Sequence, residues 1–139
     1  MNIALIGYGK MGKSIEAMAL ELGHTIVSKI DSEDFTSSDL SNADVAIEFS
    51  QPNVAVENIK KCFKADIPVV VGTTGWYDQY EEICKLAEDT GQSLFTATNF
   101  SVGVNIVFNI NQKLAEIMNQ FPEYDVHMTE IHHLEKKDH

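Results

Sequence analysis

Asn2-Ile3-Ala4-Leu5-Ile6-Gly7-Tyr8-Gly9-Lys10-Met11-Gly12 decides the fold. Asn2–Gly7 is a short apolar run and reads as a buried strand. It ends in Gly-x-Gly-x-x-Gly. Lys10–Leu22 then sets Met11, Ile15, Met18, Ala19 and Leu22 at helical spacing, and Gly23 is placed to stop the helix. A glycine pattern alone is weak evidence, but one that closes a strand and opens a helix has the context the motif requires. The first glycine permits the turn, the second lets a pyrophosphate approach the backbone, and the third brings helix close to strand. The helix start presents N–H groups and partial positive charge to an anion. Gly7, Tyr8, Gly9, Lys10, Met11 and Gly12 are therefore candidate cofactor-binding residues.

The other half of such a fingerprint is an acid at the end of the second strand. Thr25–Ile30 is rich in β-branched residues, and Asp31 follows it, 19 residues after Gly12. A carboxylate there accepts from the ribose hydroxyls of NAD and repels the 2′-phosphate of NADP. The chain has no arginine to offset that repulsion, leaving only Lys29 or Ser32 nearby. NADH or NADPH is the expected cofactor, with a lean toward NADH. A tight turn without a ligand is the weaker reading, because strand, glycines, helix and acid agree.

Working outward, residues 32–43 read as a loop or a short helical turn. Asp44–Phe49 reads as a third strand, and a helix opens at Gln51-Pro52-Asn53 and runs to about Ala65. Ile67–Val71 is an apolar strand, Tyr77–Thr90 a helix closed by Gly91, and Ser93–Thr96 a fifth strand. Gly103–Phe121 is the longest helical pattern and ends before Pro122. Tyr124–His132 alternates loosely and reads as a strand. Strands alternating with helices predict an α/β fold, a doubly wound parallel sheet (Rossmann-like) covered on both faces. The expected division is a dinucleotide-binding domain over 1–101 and, over 102–139, only the first helix and strand of a second, α+β domain.

Composition narrows the function. The chain has 139 residues, 10 lysines against 21 acids, and a formal net charge of −11. Nucleic-acid binding needs a basic face, which this balance disfavours. There is no apolar run long enough to span a bilayer, and the N-terminus lacks a signal-peptide pattern. Two cysteines, Cys62 and Cys84, make no disulfide framework. They lie on helices beside apolar residues and read as buried spectators in a cytoplasmic protein. His24 reads as a surface residue.

Three later stretches carry polar groups. Gly72-Thr73-Thr74-Gly75-Trp76 follows the fourth strand, at the edge where such sheets bind ligands. It reads equally as a ligand wall and as a helix cap with Trp76 packed over the sheet. Ala97-Thr98-Asn99-Phe100-Ser101-Val102-Gly103 follows the fifth strand, and capping of the long helix by Ser101 or Asn99 is its better local reading. Glu130-Ile131-His132-His133-Leu134-Glu135-Lys136 has acid–base capacity, but an exposed polar terminus explains it as well. A metal site is the weakest reading, since adjacent histidines on a strand face opposite ways.

Five motifs in one order carry a resemblance: Gly7-x-Gly-x-Met-Gly, Glu48-Phe49-Ser50-Gln51-Pro52, Val71-Gly72-Thr73-Thr74-Gly75, Asn99-Phe100-Ser101-Val102-Gly103-Val104-Asn105, and Glu130-x-His132-His133-x-x-Lys136-x-Asp138. The series resembles 4-hydroxy-tetrahydrodipicolinate (dihydrodipicolinate) reductases of the diaminopimelate route to lysine, from Asn2 to Asp138. The resemblance implies reduction of a cyclic dicarboxylate by NAD(P)H. It implies that Gly72, Thr73 and Thr74, with Ala97, Thr98, Asn99 and Phe100, line the nicotinamide side. It implies that His132 donates the proton with help from Lys136, and that His133 binds a substrate carboxylate. It implies a homotetramer for the intact protein and no metal. Another Rossmann dehydrogenase of amino or keto acids, or a non-catalytic NADH-binding module, are the alternatives.

The chain departs from that family in a shorter glycine loop and in Ser32, which stands where many members have arginine. It also stops at His139, before the segment that anchors the second carboxylate in the family. The expectation is a truncated reductase that binds dinucleotide and has little turnover of its own.

Overall fold

The computed structural model describes residues 1–31, 34–129 and 131. The chain divides into two compact units, Met1–Phe100 and Ser101–His139.

The first unit is one parallel sheet of five strands: β1 (Asn2–Ile6), β2 (Thr25–Ile30), β3 (Val45–Glu48), β4 (Val69–Val71) and β5 (Leu94–Thr96). The order is β2-β1-β3-β4-β5, so the first strand lies between the second and third. Its residues face alternate ways. Ala4 and Ile6 join Ala46, Val69 and Val71 in the larger core. Helices α2 (Pro52–Lys64) and α3 (Tyr80–Thr90) close that core with Ile59, Cys62, Ile83 and Ala87. Ile3 and Leu5 face the other way, where α1 (Lys10–Glu21) covers them with Ala19 and, less deeply, Ile15. Helices on both faces make the sheet doubly wound, as the alternation of elements predicts.

Local chemistry explains the boundaries. Pro52 takes the first turn of α2, where its missing N–H costs nothing. Gly91 closes α3 in the left-handed conformation at φ +68°. Strand β4 begins at Val69 rather than Ile67, because the Ile67 N–H is taken by the Cys62 carbonyl and Pro68 has no N–H. Tyr77–Gln79 is a 3-10 turn, and the α-helix starts only at Tyr80. Ser37–Leu40 is a second 3-10 turn inside the expected loop, held by a capping box between Thr36 and Asp39. Near-continuous burial holds for the inner strands but not for β2, an edge strand with alternate residues exposed.

In the second unit α4 spans Val102–Met118 and none of its residues is buried. It stops three residues short of the expected Phe121: the Gln120 and Phe121 N–H groups bond the Ile117 and Met118 carbonyls, three residues back, so the last turn tightens before Pro122. The strand expected over Tyr124–His132 is not formed in residues 124–129. A strand needs a neighbour to take its backbone groups, and this unit has no other strand among the described residues. Among the described residues no helix is long and apolar enough to cross a membrane.

Candidate functional site

A cleft of about 210 Å³ opens beyond the carboxyl ends of β1, β2 and β3. Strand order reverses there, with β2 on one side of β1 and β3 on the other, and open α/β sheets bind ligands at that point. Gly7, Gly9, Asp31, Phe49, Ser50, Gln51 and Asn58 line it.

The three glycines differ in what they do. Gly7 has φ +88°, and a Cβ on it would stand 2.1 Å from the Phe49 carbonyl oxygen. A Cβ on Gly12 would stand 2.3 Å from the Gly7 carbonyl oxygen. Both are required by backbone packing. A Cβ on Gly9 would meet no atom of the described residues within 4 Å. Gly9 is also the N-cap of α1 and supplies no side-chain cap, so the first-turn N–H groups are left for solvent or a ligand. An open approach beside an uncapped helix start suits a pyrophosphate.

Asp31 stands across this turn and accepts from the Tyr8 N–H at 3.2 Å. The Tyr8 side chain turns away from the cleft. Its hydroxyl donates to Glu16 of α1, and Lys29 of β2 pairs with the same carboxylate. The Lys29 ammonium also lies 5.1 Å from the centre of the Tyr8 ring. Lys29, then Tyr8, hold the Glu16 carboxyl below its ordinary value, and Glu16 raises both the Lys29 ammonium and the Tyr8 phenol. Lys10 and Met11 are exposed on the first turn of α1, outside the cleft lining. Ser32 lies outside the described residues.

The β3 side of the cleft is a polar network. Glu48 is fully buried, and its Oε1 accepts from the Ser50 N–H at 3.2 Å, from the Ser50 hydroxyl and from Asn58 Nδ2 at 3.2 Å. The Ser50 N–H also reaches Thr73 Oγ1 at 2.8 Å. Thr73 is buried, and its carbonyl accepts from the Trp76 indole at 2.9 Å. Trp76 packs in the larger core, as that half of the second reading has it, but no side chain of this stretch caps a helix: the caps of Tyr77–Gln79 and α3 are Trp76 and Gln79, without a side-chain bond. Gly72 has a different reason: a Cβ there would fall 1.9–2.3 Å from three atoms of the Phe49 ring. The ring rests on the bare Cα and forms the cleft wall.

The β5 side is more dispersed. Ala97 and Thr98 line a separate hollow with Tyr77, Tyr80 and Thr96. Phe100 contacts Phe49 with ring centres 6.0 Å apart, and so touches a residue of the cleft. Ser101 caps α4, accepting from the Val104 N–H at 3.4 Å, as local chemistry favours. Burial pushes the Cys62 thiol up to about 12, consistent with an inert core cysteine, while Cys84 is half-buried.

The structure thus brings Gly7, Gly9 and Asp31 to one cleft. Gly72, Thr73 and Phe100 stand behind or beside its wall through Phe49 and Ser50. His132, His133 and Lys136 lie outside the described residues. Sequence reading missed Ser50, Gln51 and Asn58 as cleft residues. The available signal was position: Phe49-Ser50-Gln51 follows the third strand just as Gly7 follows the first. Among the described residues no three side chains are grouped to hold a metal ion.

Comparison with known proteins identifies the family. Residues 1–100 match the family model "Dihydrodipicolinate reductase, N-terminus", and residues 103–139 match "Dihydrodipicolinate reductase, C-terminus". A 4-hydroxy-tetrahydrodipicolinate reductase of Christiangramia forsetii is 48% identical over 99% of this chain and 58% of its own length. One of Methanobrevibacter smithii is 40% identical over 89% of this chain and 44% of its own. The chain therefore spans about half the length of these relatives. A crystal structure described as an oxidoreductase from Klebsiella pneumoniae has a TM-score of 0.55 at 22% identity, covering 69% of this chain and 33% of that one. That likeness concerns the fold alone. The glycine turn, the switch-point cleft and the two matches together place the chain in the dihydrodipicolinate reductase family.

Proposed function

We propose that this chain supplies the dinucleotide site of an NAD(P)H-dependent reductase acting on a cyclic dicarboxylate of the dihydrodipicolinate type. The observation that carries the reading is Gly9, a glycine that no packing among the described residues requires, between an uncapped helix start and Asp31. The residues present fit a dinucleotide. Gly7 and Gly9 with the start of α1 would receive the pyrophosphate, and Asp31 the adenosine ribose. Gly72, Thr73, Thr74, Ala97, Thr98, Asn99 and Phe100 would border the nicotinamide half. The bound cofactor supplies the hydride. His132 would deliver the accompanying proton, Lys136 would assist it, and His133 would hold a substrate carboxylate.

NADH is the preferred form in this reading. Asp31 repels a 2′-phosphate, the sequence has no arginine, and Lys29 is committed to Glu16. Asp34 and Asp39 border the hollow next to Asp31 and add to the repulsion.

Titration of the chain with NADH and NADPH, followed by nicotinamide fluorescence, tests the reading. Saturable binding that favours NADH is expected; equal or tighter NADPH binding would overturn the preference. In protein that turns over, His132→Gln should lower kcat by about 10²–10⁴, the usual cost of a lost general acid. A near-normal kcat would remove His132 from its role.

A further inference from the structure

Glu48 ends the central strand β3 and is fully buried on the α2 side of the sheet. A carboxyl group at such a place is costly unless donors surround it. Here the donors converge on one oxygen. Oε1 accepts from the Ser50 N–H, the Ser50 hydroxyl and Asn58 Nδ2, whereas Oε2 has no partner among the described residues. Two of those three donors belong to Ser50, which lines the cleft.

The hydrogen-bond inventory of Ser50 is therefore nearly complete. A serine hydroxyl has one proton and two lone pairs. The proton goes to Glu48, and one lone pair accepts from Asn58 Nδ2 at 3.1 Å. The backbone N–H is shared between Glu48 and Thr73. What Ser50 has left for the cleft is a lone pair. We propose that Glu48 is a positioning residue that sets the polarity of this wall: by holding the Ser50 proton it makes Ser50 an acceptor. The wall then takes a hydrogen-bond donor of the bound dinucleotide, a ribose hydroxyl or the carboxamide N–H, and not its phosphates. The proposal rests on the dinucleotide reading of the cleft.

The test is NADH affinity of the full chain, with thermal unfolding as the control for folding. Ser50→Ala and Glu48→Leu should each weaken NADH roughly five- to tenfold, the range of one lost hydrogen bond. Glu48→Gln keeps a carbonyl acceptor at the Oε1 position and should bind within about twofold of wild type. In the Ser50→Ala background Glu48→Leu should add nothing further, because its effect runs through Ser50. Unchanged affinity in Ser50→Ala overturns the proposal. So does a Glu48→Gln loss as large as that of Glu48→Leu, which would make charge the cause. If Glu48→Leu does not fold, Ser50→Ala and Glu48→Gln decide between them. Binding of ADP-ribose tells the donors apart: a parallel loss assigns a ribose hydroxyl, and a loss confined to NADH assigns the carboxamide. A folded wild-type chain that fails to bind NADH overturns the dinucleotide reading itself, a result distinct from normal binding that the variants leave unmoved.

Discussion

Gly7 and Gly12 would each press a Cβ against a backbone oxygen, at 2.1 and 2.3 Å, while the same atom on Gly9 would point into open space. Alanine should therefore act differently within one turn. Gly7→Ala combines that clash with a positive φ and should destabilise by about 1–3 kcal/mol, as should Gly12→Ala through overpacking. Gly9→Ala should leave stability within about 0.5 kcal/mol of wild type. It should nevertheless weaken dinucleotide binding, since the added methyl occupies the ligand's approach. Urea unfolding beside NADH titration separates the two outcomes, and equal destabilisation by all three would reduce the motif to packing.

Helix α1 is fastened to β2 by one trio, with Glu16 on the helix, Lys29 on the strand and Tyr8 on the turn that leads from β1 into the helix. The Glu16 carboxyl lies below its ordinary value, chiefly through Lys29. Its contribution to stability is thus complete above the ordinary carboxylate range and is lost as pH falls through the lowered value. Glu16→Gln should flatten the acid limb of a plot of urea midpoint against pH, with little change near neutrality in its slope. Such elements were legible where their causes are local. The spans of β1, α1 and β2 follow from periodicity, glycines and β-branching almost to the residue. Glu48 carried no reading beyond its place in the third strand and in one motif, because its burial depends on α2 and β4, whose contacts no local pattern announces. Residues 124–129 show the reverse case, an alternating pattern without a strand beside it. The cleft was half legible. Gly7, Gly9 and Asp31 belong to a motif with fixed spacing, whereas Asn58 reaches the cleft only through the crossing of α2.

The chain carries a formal charge of −11 from 21 acids and 10 lysines. Repulsion among so many like charges works against the folded state, and salt screens it over a Debye length of about 8 Å at 0.15 M. The Tm should therefore rise as sodium chloride increases from low ionic strength toward that level. A fall would mean that attractive pairs such as Lys29–Glu16 outweigh the general repulsion. The same excess bears on partners. A surface with this balance disfavours polyanions, so an anion is held locally, by backbone N–H groups such as those at the start of α1, rather than by a broad basic face.

The seat of the Phe49 ring on the bare Cα of Gly72 couples two positions 23 apart in the chain. A methyl at position 72 is costly while the ring is present and less so once a smaller side chain replaces it, so the order in which substitutions arrive matters. Gly72→Ala should cost about 1–3 kcal/mol by itself. Joined to Phe49→Leu, it should cost less than the sum of the two single changes, a sign of epistasis that a double-mutant cycle reads directly. Between this strand end and its neighbour, inheritance acts on a pair rather than on a residue.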